Sequence, residues 1–150
     1  MSILKKLFGG DDPDRVDYYR EGMELLTSGK FHEALTSFRL ALKESPGDVV
    51  VLQQIAICYT RIGMTDEAAK TYKHVLQKDP SASGAHYGLA FILLRAGQPE
   101  AAAEHLEAFL ARPPGGPDAE DHINHARSTL AQIRGEAHET SSEIPPDEFF

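Results

Sequence analysis

Cysteine is nearly missing from this sequence: Cys58 is the only one in 150 residues. An internal disulfide framework is therefore excluded, and the fold has to stand on packing alone. That composition leads us to expect a reducing, cytoplasmic setting. Long apolar runs are missing too, since nothing nears the roughly 20 residues that a membrane span requires. The opening residues, Met1 to Gly10, carry the basic pair Lys5-Lys6 but no long apolar stretch or small-residue cleavage site. They do not read as a secretion signal. Basic residues are few: 15 Lys and Arg against 23 Asp and Glu, a net charge of −8. Without a basic stripe, nucleic acid is excluded as the expected partner.

The residue patterns of catalysis are equally scarce. Gly9-Gly10 and Gly115-Gly116 lack the flanking strand, helix and lysine of a phosphate-cradling loop. No Ser/His/Asp order or paired-carboxylate arrangement stands out. Cys58 lies between Ile57 and Tyr59 in an apolar helical stripe, which marks a buried structural thiol rather than a nucleophile. Among seven histidines, His122 and His125 share a helix face near Asp118 and Asp121, yet no specific third ligand accompanies them, so the pair reads as an ordinary solvated helix face. The expectation is a non-enzyme with no cofactor and no metal.

What the sequence does have is a period. Prolines recur at Pro46, Pro80 and Pro114, the same step each time. Gly29, Gly63 and Gly97 keep that step, as do Ala34, Ala68 and Ala102, and then Phe38, Tyr72 and Leu106. Apolar residues within each segment recur at steps of three and four, the helical period, and no useful β-type alternation is present. Asp12-Pro13, Asp48 and Thr65 with Asp66-Glu67 read as helix starts. The three glycines fall where a helix must end and reverse. Small residues at Gly22, Ala56 and Ala90 would let paired helices approach closely, with Ala34, Ala68 and Ala102 doing so from the other helix.

Period and residue types together resemble the tetratricopeptide repeat, a 34-residue pair of antiparallel helices with a W-x₂-L-G-x₂-Y…A-x₃-F…P pattern. The first repeat supplies Tyr18, Gly22, Leu25, Ala34, Phe38, Ala41 and Pro46. The second supplies Leu52, Ile55, Ala56, Tyr59, Ala68, Tyr72 and Pro80, and the third His86, Leu89, Ala90, Leu93, Ala102, Leu106 and Pro114. Glu21 and His86 depart from the pattern, His86 taking the bulky packing slot of repeat three. The resemblance, over residues 13–114, implies an all-α, right-handed helical-hairpin solenoid of three repeats, about 15–48, 49–82 and 83–116.

Downstream of Pro114, Ala119, Ile123, Ala126, Leu130 and Ile133 form one apolar stripe. A solenoid needs a terminal element that is apolar on one side only, so 117–135 reads as a capping helix that completes a domain over 13–135. Residues 136–150 hold five acids and no Lys or Arg, leaving −8 + 5 = −3 for the rest. That tail is expected to be disordered. Residues 1–12 would form a short amphipathic segment, with Ile3, Leu4, Leu7 and Phe8 opposite Lys5 and Lys6. A membrane contact through it is a minor reading, because two helical turns bury little area.

The resemblance further implies that the first helix of each repeat lines a concave groove. There it would present Tyr19, Arg20 and Met23 from repeat one, Gln53, Ile57 and Arg61 from repeat two, and Tyr87, Phe91 and Arg95 from repeat three. Apolar and aromatic residues on such a face point to a protein partner. Arg61 and Arg95, at one repeat position, would favour an aromatic and acidic peptide or helix. Some members of the family hold a chaperone's C-terminal carboxylate through Lys and Asn. The corresponding positions here are Tyr19 and Met23, which speaks against that clamp. The leading expectation is a protein-binding adaptor or scaffold. The alternative is a self-associating assembly protein that uses its N-terminal segment or its acidic tail.

Overall fold

The computed structural model describes residues 15–142, with side-chain surroundings through residue 135. Seven helices and no strand occur among them: α1 (Tyr18–Thr27), α2 (Phe31–Glu44), α3 (Val49–Ile62), α4 (Thr65–Lys78), α5 (Ser83–Arg95), α6 (Pro99–Ala111) and α7 (Ala119–Ser142). Each helix packs mainly on its neighbours in sequence. The result is three helical hairpins stacked in chain order, closed by α7.

The turn inside each hairpin is the same device used three times. After α1, Gly29 N–H donates to Leu26 O and Lys30 N–H to Leu25 O; the pairs Gly63/Thr60 with Met64/Tyr59, and Gly97/Leu94 with Gln98/Leu93, repeat it. This pattern of a short and a long reverse bond satisfies carbonyls that a helix end leaves open, and it needs a left-handed residue between them. Gly29, Gly63 and Gly97 take it up, with φ of +77°, +92° and +75°.

Helix starts are less uniform. Asp48 caps α3 as expected, its carboxylate accepting from Val50 N at 2.9 Å and Val51 N at 3.4 Å. Asp17 caps α1, accepting from Arg20 N at 3.0 Å, whereas Asp12-Pro13 lies outside the described residues. Thr65 is the first residue of α4 rather than its cap, because Met64 holds the cap position. Its hydroxyl instead donates to Gly63 O, at 3.4 Å.

Close packing falls where the small residues are. A Cβ at Gly22 would stand 2.6 Å from the Phe38 ring, so the first hairpin closes only because position 22 lacks one. Gly88 does the same between repeats, taking the Tyr72 ring of the preceding hairpin. Ala34, Ala56, Ala68 and Ala102 are fully buried. The core runs from Ala34 to Ile92 as one cluster. A second, smaller cluster joins Ala90, Leu106 and Phe109 to Ala126 and Leu130 of α7.

That second cluster seats α7 as a cap, with the expected stripe of Ala119, Ile123, Ala126, Leu130 and Ile133 turned inward. Arg134 adds an ion pair to Glu107 of α6. The helix outruns the boundary expected at residue 135 and continues to Ser142, which corrects the disordered reading for 136–142. The reason is local: Gly135 keeps a negative φ instead of taking the left-handed turn, and no proline lies between Pro117 and Pro145. The remaining tail, 143–150, and the N-terminal segment, 1–12, lie outside the described residues.

Candidate functional site: a pocket beneath the capping helix

Between α3, α5 and α7 the stack leaves an open, mostly apolar pocket of about 570 Å³. α3 contributes Ile57, Thr60 and Arg61, α5 contributes Tyr87, Phe91 and Arg95, and α7 contributes His122 and His125. First helices of successive repeats line it because the stack puts every such helix on one side, each shifted by a repeat. α7 keeps that register. Ala119, Ile123 and Ala126 follow Ala85, Leu89 and Ile92 by one full repeat, so the cap behaves as the first helix of a fourth repeat.

The floor is aromatic. Tyr87 lies 5.1 Å from Phe109 and 4.8 Å from Phe91, ring centre to ring centre. Phe91 stacks on the His125 imidazole at 4.8 Å and 13°, and Tyr87 meets His122 edge-on at 5.1 Å. These offset and edge contacts are the arrangements that ring quadrupoles favour. Tyr87 and Phe91 are half-buried, so they brace the cap and still face the pocket, while the two histidines form its more exposed rim. Burial raises the pKa of Tyr87, and it pushes Tyr72, deeper in the same wall, up to about 12, so both stay neutral phenols near neutral pH.

Two cations stand at the edge. Arg61 and Arg95 are exposed, and neither takes part in an ion pair among the described residues. The Arg61 guanidinium lies 5.3 Å over the Phe31 ring, which orients it without neutralising it.

Of the nine groove residues read from the sequence, the pocket gathers Ile57, Arg61, Tyr87, Phe91 and Arg95. Tyr19 leans on Phe38 instead, with ring centres 5.8 Å apart, and Met23 packs against the main core. Arg20 pairs with Glu24 along α1 at 3.2 Å. Gln53 lies beside Gly84, its Oε1 2.6 Å from where a Cβ there would sit. Sequence reasoning missed His122 and His125 as walls and took them for a solvated helix face. Their offset from Gly88 and Phe91, one repeat in each case, was the available signal.

The other chemistry-bearing groups are spoken for. Cys58 is buried, and desolvation lifts its pKa to about 11, which leaves it an unreactive thiol. His86 is held in its packing slot by two bonds, from Nε2 to Pro80 O at 2.8 Å and between its Nδ1 and that of His105 at 3.0 Å. Burial, then the neighbouring His86, lower the pKa of His105. Among the described residues no three His, Cys, Asp or Glu side chains converge on a metal-sized site, and no helix is long and apolar enough to cross a membrane.

Comparison with known proteins agrees with this architecture. The chain is 33% identical over 97 residues, 65% of its length, to the inactive TPR repeat-containing thioredoxin TTL3 of Arabidopsis thaliana. It is 27% identical over 113 residues, 75% of its length, to the Hsp70-Hsp90 organizing protein of Triticum aestivum. It spans 14% and 19% of those two proteins. Among solved structures, the Yersinia enterocolitica type III secretion chaperone SycD, in complex with a peptide of the translocator YopD, superposes with a TM-score of 0.73 at 18% identity. That match covers 84% of this chain and 99% of SycD. The tetratricopeptide repeat model matches residues 25–73 and 63–121. With three glycine-turned hairpins and that match over most of its length, the chain belongs to the tetratricopeptide repeat family.

Proposed function

We propose that this protein is a non-catalytic adaptor that holds a segment of a partner protein in the pocket between α3, α5 and α7. The observation that carries this reading is the pairing of an aromatic floor, Tyr87 and Phe91, with two edge cations, Arg61 and Arg95, that form no ion pair among the described residues. A peptide with an apolar or aromatic side chain flanked by carboxylates answers both features. The ring would enter above Phe91 and beside Ile57, and the acids would meet the guanidinium groups at the edge. A volume of about 570 Å³ suits one or two such anchors. The SycD structure, which holds a peptide of YopD, supports this use of the scaffold.

The likeness to Hsp70-Hsp90 organizing proteins does not extend the reading to a chaperone-tail clamp. Tyr19 and Met23 stand where that clamp has Lys and Asn, and here both are packed inward.

Selection of a random peptide library on the whole chain tests the proposal. Enriched peptides should place an aromatic residue beside acids and bind at least about tenfold more weakly to the Arg61→Glu/Arg95→Glu variant. Peptides that bind that variant and Ile57→Glu as well as they bind the natural chain would overturn it. Both substitutions are preferable to Tyr87→Ala with Phe91→Ala, which would also unseat α7.

A further inference from the structure

We infer that the pocket's ligand in the absence of a partner is the acidic, aromatic segment Glu143–Phe150 of a second copy of this chain. The inference rests on the peptide-holding reading above and names an occupant for the same site. The segment reads Glu143-Ile144-Pro145-Pro146-Asp147-Glu148-Phe149-Phe150, so it sets two adjacent acids next to two adjacent phenylalanines. Those are the two properties the pocket asks for, carboxylates for Arg61 and Arg95 and a ring for the Tyr87–Phe91 floor. Residues 136–150 carry five acids and no Lys or Arg, so they complement the arginine edge in contact.

Reach favours a neighbour's pocket over the chain's own. The last residue of α7 on the pocket wall is His125, and the helix runs on from there to Ser142. At about 1.5 Å per residue, the stretch from 125 to 142 carries the chain about 26 Å away. Fully extended, the stretch from 142 to 149 covers about 24 Å. Pro145-Pro146 shorten that span further, toward the roughly 3.1 Å per residue of a polyproline helix. Stretched straight back, Phe149 and Phe150 only just regain the pocket wall at His125, so filling the chain's own pocket demands a fully extended segment and the full entropy cost of ordering it. In a second copy α7 acts as an arm that delivers the segment, and reciprocal exchange gives a closed two-fold dimer with two filled pockets.

Sedimentation equilibrium on the full chain tests this, comparing the natural chain with two variants and their mixture. The natural chain should dimerise. Phe149→Ala/Phe150→Ala and Arg61→Glu/Arg95→Glu should each raise the dimer Kd at least about tenfold. An equimolar mixture of the two variants should associate more tightly than either alone, since one offers an intact pocket and the other an intact tail. A natural chain that stays monomeric overturns the inference, as does association that both variants retain. A monomer whose library-selected peptide binds better once Phe149 and Phe150 are removed would mean a plug within one chain, which also overturns it. The two readings separate on that same peptide. If the chain is monomeric and the peptide still binds through Arg61 and Arg95, the exchange falls and the adaptor stands. If no arginine-dependent peptide is found either, both fall.

Discussion

Tyr19 and Tyr87 occupy one repeat position, as do Met23 and Phe91, yet the first hairpin and the third use them differently. In the first, Tyr19 rests on Phe38 and Met23 packs on the main core, both half-buried. In the third, Tyr87 and Phe91 lean on the imidazoles of α7 and leave a pocket open beside them. The edge differs too. Thr27 holds the position that Arg61 and Arg95 hold later, and its hydroxyl is spent on Met23 O at 2.9 Å. A repeat position therefore sets which way a side chain points, while the element stacked next to it sets what that side chain does.

The comparison can be broken hardest in the two buried phenylalanines. Phe38→Ala and Phe109→Ala each empty a fully buried ring site, at 0% and 1% exposure, and should each cost about 3–5 kcal/mol in urea unfolding. Only Phe109→Ala should also weaken peptide binding, because Tyr87 lies against that ring. Equal effects on binding would mean that the two halves are not separable. Next in size, Gly22→Ala and Gly88→Ala press a methyl into Phe38 and Tyr72 and should each cost about 1–3 kcal/mol. Thermal unfolding reads both, and the Gly88 variant should alone perturb the pocket wall.

Charge reversal sharpens the contrast without touching the core. Arg20→Glu on α1 should leave peptide affinity unchanged, whereas Arg61→Glu/Arg95→Glu should lower it at least about tenfold. All three positions are exposed, so stability should move by no more than about 0.5 kcal/mol. Fluorescence anisotropy with the selected peptide would tell them apart.

The smallest effect expected is that of pH. His105 has its folded pKa below the ordinary histidine value, so between the two values the unfolded chain binds more protons and stability rises with pH. Stability should thus be complete above about pH 6.5 and decline as the pH falls below it. The groups facing the pair are the Pro80 carbonyl, Glu104 and Lys73, and Glu104 partly offsets the shift. His105→Gln should flatten the dependence of Tm on pH across the histidine range. A slope that survives the change would assign it elsewhere.

The hairpins were legible because their determinants are local and repeated. Gly29, Gly63 and Gly97 announce a left-handed turn whatever surrounds them, and the stripe from Ala119 to Ile133 announces a one-sided helix. The extent of α7 was not legible, since Gly135 can stop a helix or sit within one, and only its φ tells which. The pocket was half legible. Register gave Ile57, Arg61, Tyr87, Phe91 and Arg95, but the same register also gave Tyr19 and Met23, which rest on Phe38 and the main core and line no part of this pocket. His122 and His125 were read as a polar surface. Their role depends on α7 docking in the register of a fourth repeat, a tertiary fact with no separate local signature.

A cap that is also a wall has a consequence for exchange with solvent. α7 is held by a small cluster around Phe109 and by Arg134, so its amides should open to deuterium sooner than those of α3, which is packed on both sides. Whatever fills the pocket touches His122 and His125 and so adds to the hold on α7. Occupancy should therefore slow deuterium uptake along that helix, far beyond the residues in contact, and leave α1 and α2 unchanged.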